Sequence, residues 1–141
     1  MSTTLYDKFV YAVQMGLLDD VKRLIPLCDP KQNDSEALWH AATIGDVGCL
    51  KLLIPVCNPK ASNSLALQCA LYYQHHDCVV LLRPLSNAKK ALRFLSEEYD
   101  HINWAQRLDS ILTQHQHSVL ERVARDTTHR VPKTQPQKRK L

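Results

Sequence analysis

The chain has 141 residues, 45% hydrophobic and 23% charged, which suits one packed domain and excludes a chain disordered throughout. Three glycines, 6% aromatic residues and no short alternating strands between turn signals exclude a β-sandwich or barrel and leave an all-α class. The net charge of +4 sits at one end, where residues 127–141 carry five basic residues and no acid, leaving 13 basic residues against 14 acids in the body.

That balance argues against a basic nucleic-acid-binding fold. No apolar run reaches the ~20 residues that a membrane span requires. The start, MSTTLYDKFVYAVQ, lacks a basic segment followed by an apolar block, so no secretory signal is expected. A cytoplasmic setting with five reduced cysteines follows.

Three units then succeed one another at a period of 29 residues, over about 5–34, 35–63 and 64–92. They read LYDKFVYAVQMGLLDDVKRLIPLCDPKQND, SEALWHAATIGDVGCLKLLIPVCNPKASN and SLALQCALYYQHHDCVVLLRPLSNAKKAL. Pro26, Pro55 and Pro84 align, as do Cys28, Cys57 and Ser86, and Gly16 and Gly45 align with Gln74. Within the second unit, Asp34 or Ser35 is placed to cap a first helix, in which Leu38, Ala41 and Ala42 make an apolar stripe. Gly45 stops that helix, and Asp46 caps a second one carrying Leu50, Leu53 and Ile54. Pro55 ends it, because proline disfavours helical geometry in the residue before it. Each unit is therefore helix, turn, helix, loop. So short a pair buries its apolar face only by stacking on copies of itself, with Ala12, Ala41 and Ala70 allowing close approach.

Residues 93–126 leave the register but stay helical, with Trp104, Leu108, Ile111, Leu112, Val119 and Val123 close to a 3.6-residue period. They read as a C-terminal cap, or as a partner-binding or dimerising helix. Residues 127–141, with two prolines among the charges, read as a disordered basic tail.

Catalytic and metal signals are weak. The cysteines show no paired C-x-x-C spacing, and Cys49, Cys69 and Cys78 suit small apolar roles. His75 and His76 fall at a turn, and His115 and His117 diverge on a helix, so no three ligands converge. Asp19-Asp20 and Glu97-Glu98 suit helix-start acids and a solvated face. No phosphate loop or nucleophile elbow is present. No enzyme activity, cofactor or metal is expected.

The stretch ALWHAATIGDVGCLKLLIPVCNPKASN resembles an ankyrin repeat at Leu38, Ala41, Ala42, Gly45, Leu50, Lys51, Leu52, Leu53 and Ile54. Ala37 stands where that family has Pro, and Trp39 where it has His. The period is about four residues shorter than the family's 33, in the loop that forms its projecting hairpins. The resemblance implies an all-α, ankyrin-like solenoid with stunted fingers, a C-terminal capping helix and a non-enzymatic role in binding another protein. It also implies a concave side lined by the first helices. By register, three rows cross that side: Tyr11, His40 and Cys69; Gln14, Thr43 and Tyr72; Met15, Ile44 and Tyr73. With Trp39, these residues are the candidate partner-binding face, though Trp39, Tyr72 and Tyr73 would equally complete the core.

Stand-alone proteins of this kind resemble adaptors or inhibitors, including those that viruses or intracellular bacteria direct at host proteins. The body is expected to act as a monomer, or as a homodimer through the C-terminal helix. A second reading uses the tail: Arg130, Lys133, Lys138, Arg139 and Lys140 would neutralise phosphates on nucleic acid, dock an acidic surface or direct import into a host nucleus.

Overall fold

A computed structural model describes the backbone of residues 3–139 and the side chains of residues 3–126. Its helices are α1 (Leu5–Met15), α2 (Leu18–Leu24), α3 (Gln32–Ile44), α4 (Val47–Leu53), α5 (Ala61–Tyr72), α6 (His76–Leu82), α7 (Ala88–Glu98) and α8 (Trp104–Arg139). No strand occurs among the described residues. The odd-numbered helices pack side by side in one layer, and the even-numbered ones form a second layer behind them. The core lies between the layers. It takes one stripe from each helix: Phe9 and Val13, Val21 and Leu24, Leu38 and Ala41, Leu50 and Leu53, Leu67 and Leu71, Val79 and Leu82. Each fully buried leucine contributes ~2 kcal/mol of transfer free energy. Ala12, Ala41 and Ala70 are buried where first helices meet, in keeping with their small size.

The prolines act differently from the expectation. Ile25, Ile54 and Arg83, the residues before them, keep right-handed helical geometry. Each second helix tightens into a 3-10 turn, over Ile25–Leu27, Ile54–Val56 and Arg83–Leu85. Proline is tolerated at the start of a helical turn because its missing N–H would find no partner there. The chain becomes extended only at Cys28, Cys57 and Ser86.

The first helices of units two and three also start in an unexpected way. Asn33, Asp34 and Ser35 hold φ of 56–58°, and Ser62, Asn63 and Ser64 hold φ of 53–59°. Three consecutive residues in left-handed geometry cost about 1–2 kcal/mol each, and short polar side chains carry that cost best. Ser35 therefore does not cap its own helix. Its buried hydroxyl accepts the N–H of Asn58 at 2.9 Å, and Ser64 accepts the N–H of Asn87 at 2.7 Å. Units two and three thus each close their own exit loop through one serine at their start. Ser64→Ala is expected to cost about 2 kcal/mol, because it strands a buried backbone donor. Urea unfolding followed by circular dichroism measures this; an unchanged midpoint would remove Ser64 from the account. Asp46 behaves as expected, its Oδ1 accepting the N–H of Cys49 at 3.1 Å.

The C-terminal region holds two helices rather than one. α7 begins at Ala88, inside the third unit, and the chain breaks at residues 99–103 before α8. Trp104, Leu108 and Ile111 are buried against the stack, whereas Leu120 and Val123 are exposed. α7 and the first turns of α8 occupy the place of a fourth helix pair. α8 continues through Arg139, past the boundary expected at residue 126. α8 carries the backbone of residues 127–139, where the sequence leads one to expect a disordered tail, and the side chains of Arg130, Lys133, Lys138, Arg139 and Lys140 lie outside the described residues.

Candidate functional site

The candidate residues lie on the odd-numbered helices α1, α3 and α5, with Tyr73 at the C-terminal end of α5. Met15, Ile44 and Tyr73 are exposed at the C-terminal ends of α1, α3 and α5, so an apolar stripe crosses three neighbouring helices. Tyr72 and Tyr73 are 39% and 52% exposed and lie outside the buried core. Tyr11 and Gln14 are exposed on α1. Trp39, His40, Thr43 and Cys69 are half-buried, and Trp39 and Cys69 pack against the core.

Local bonds hold this surface in place. The Trp39 and His40 rings stack at 4.2 Å, and the Thr43 hydroxyl donates to the Trp39 carbonyl at 2.8 Å. Burial lowers the pKa of His40 and outweighs the opposing pull of Glu36, whose Oε2 lies 3.8 Å from Nε2. Tyr6 Oη lies 3.0 Å from Glu36 Oε1 and from the Gln32 carbonyl, tying α1 to α3. His75 Nε2 is 2.9 Å from the Thr43 carbonyl, joining the turn of unit three to unit two.

At the last unit the surface deepens into a groove of about 210 Å³. Leu65, Gln68, Cys69 and Leu95 form its less exposed part, and the more exposed Tyr72, Tyr73 and Tyr99 edge it. The Tyr72 ring meets Tyr73 edge-on at 4.9 Å and Tyr99 at 4.8 Å. Trp104 lies behind them, 6.2 Å from both Tyr72 and Tyr99, and its indole N–H donates to the Tyr99 carbonyl at 3.0 Å. The Tyr72 phenol, then burial, then the Glu98 carboxylate raise the pKa of Tyr99.

Leu65, Gln68, Leu95 and Tyr99 are absent from the sequence-derived face. The signal for Tyr99 lies in its neighbour, since Trp104 stands one 29-residue step beyond His75 and continues the series Leu17, Asp46, His75. That position marks a fourth pair, and α7 follows from it.

The described surface offers little for catalysis. Burial, the leading influence, pushes the thiols of Cys49 and Cys57 up to about 12 and raises that of Cys69, so these groups are neutral near pH 7. Among the described residues no three His, Cys, Asp or Glu converge on a metal position, and no helix is long and apolar enough to cross a membrane.

A family model for ankyrin repeats, in three copies, matches residues 9–100. No curated protein and no solved structure matches the chain.

Proposed function

The chain belongs to the ankyrin-repeat family, a protein-interaction fold, and from that premise we propose that it binds one partner protein across its first-helix face without catalysis. The stripe of Met15, Ile44 and Tyr73, with Tyr72 beside it, carries this reading. These apolar and aromatic side chains are exposed on three adjacent helices, and such clusters supply the anchors of protein interfaces. The left-handed turns leave the loops short, so the helix face rather than a row of fingers presents the contact surface. The mechanism is occupancy: the repeat body covers a surface of the partner, or bridges it to another protein, which is how an adaptor or inhibitor works.

Capture of a partner from nuclease-treated native lysate tests this, using the full chain and Tyr73→Ala. The substitution is expected to weaken capture at least tenfold, the scale of an aromatic anchor. Thermal unfolding should stay unchanged, because the side chain is 52% exposed. Equal capture by both forms would remove the first-helix face as the binding surface. The segregated positive charge of residues 127–141 favours a second reading, phosphate binding by the tail. That mode weakens steeply with added salt, whereas apolar anchoring does not.

A further inference from the structure

We propose that the groove edged by Tyr72, Tyr73 and Tyr99 receives a cationic side chain, Arg or Lys, presented by the partner protein. This deepens the interaction reading above and rests on it. Three phenol rings gather around one opening of about 210 Å³. That is smaller than the roughly 300–1,000 Å³ of small-molecule pockets and suits one long side chain. The faces of aromatic rings carry negative charge density and attract a cation held within about 6 Å.

Charge complementarity identifies the occupant. No basic side chain lines the groove. The Gln68 amide donates to the Asn63 carbonyl at 2.9 Å, which fixes its orientation and leaves its own carbonyl oxygen as an acceptor in the lining. Cys69 contributes a neutral thiol. The Glu98 carboxylate adds to the field at Tyr99, which resists further negative charge. The same aromatic cluster already seats a guanidinium elsewhere: Arg107 lies 4.8 Å over the Trp104 ring. An anionic ligand would find no donor charge in the lining, and a purely apolar one would strand the Gln68 carbonyl.

The test titrates the full chain, carrying ring-labelled tyrosine, with N-acetyl-arginine amide and with its neutral isostere N-acetyl-citrulline amide, and follows the ring resonances by NMR. The arginine probe is expected to shift Tyr72, Tyr73 and Tyr99 saturably, and to bind about fivefold or more tightly than the citrulline probe. Tyr72→Phe keeps the ring face and should stay within about twofold, whereas Tyr72→Leu should lose about fivefold. Tyr99→Leu repeats that comparison should Tyr72→Leu disturb the fold by circular dichroism. Equal binding of the two probes, or no shift with either, overturns the cation site. Partner capture that persists alongside such a result leaves the interaction reading standing. A full-length variant with Arg130→Gln, Lys133→Gln, Lys138→Gln, Arg139→Gln and Lys140→Gln addresses self-occupancy. Probe binding that appears only in that variant gives the groove to the chain's own tail and overturns the partner assignment.

Discussion

Trp104→Ala is expected to lower stability by about 3–5 kcal/mol. The indole is 1% exposed and starts α8, the helix that covers the end of the stack. Its removal leaves a cavity beside Tyr72 and Tyr99, frees the Tyr99 carbonyl and takes the support from under Arg107. A solenoid is held together by contacts between neighbouring pairs, so losing the terminal contact loosens the third unit as well. Urea unfolding followed at 222 nm should show a midpoint lower by more than about 1 M, given slopes of about 1–3 kcal/mol/M. Trp104→Phe retains a ring but loses the N–H donor, and should cost about half as much. A loss under about 1 kcal/mol for Trp104→Ala would mean that α8 rests on the stack without supporting it.

Gly45→Ala should cost about 2–3 kcal/mol, although the change adds only a methyl group. Gly45 ends α3 at φ +82°, a conformation that burdens any residue with a Cβ by about 1 kcal/mol or more. A Cβ built there would come within 2.5 Å of the His75 ring, so the imidazole must move. Moving it gives up the contact between Nε2 and the Thr43 carbonyl, worth about 1 kcal/mol. The smaller unfolded-state entropy of Ala recovers only part of this. Gly16 is a built-in control, since there the added Cβ meets the end of the Asp46 side chain at 3.0 Å and the obstacle can turn aside. Gly16→Ala should therefore cost clearly less. Equal effects at the two glycines would show that backbone strain alone decides, with no part for His75. Thermal unfolding of the two variants side by side makes the comparison.

Much of the fold was legible because the chain repeats itself. A helix pair too short to bury its own face must stack, and the alignment of prolines, glycines and alanines at 29-residue steps shows which residues stack on which. The candidate rows followed from the same register, and Met15, Ile44, Tyr72 and Tyr73 are indeed exposed. Legibility failed where local signals have more than one use. Ser35 is a good helix cap by composition, yet its hydroxyl serves Asn58 in the exit loop of the same unit, a partner 23 residues away. An extended residue before proline is the local preference, yet Ile25 and Ile54 stay helical and the chain continues into a 3-10 turn.

The sequence by itself determined the period, the helix pairs, the buried stripe and the exposed row of Met15, Ile44 and Tyr73, because these depend on residue spacing and polarity along one helix. Only the tertiary structure decided the left-handed serine turns, the fourth pair formed by α7 and α8, and the gathering of Tyr72, Tyr73 and Tyr99 about one groove. Those features arise from side chains far apart in the chain meeting across stacked units, where contact geometry rather than local periodicity sets the free energy.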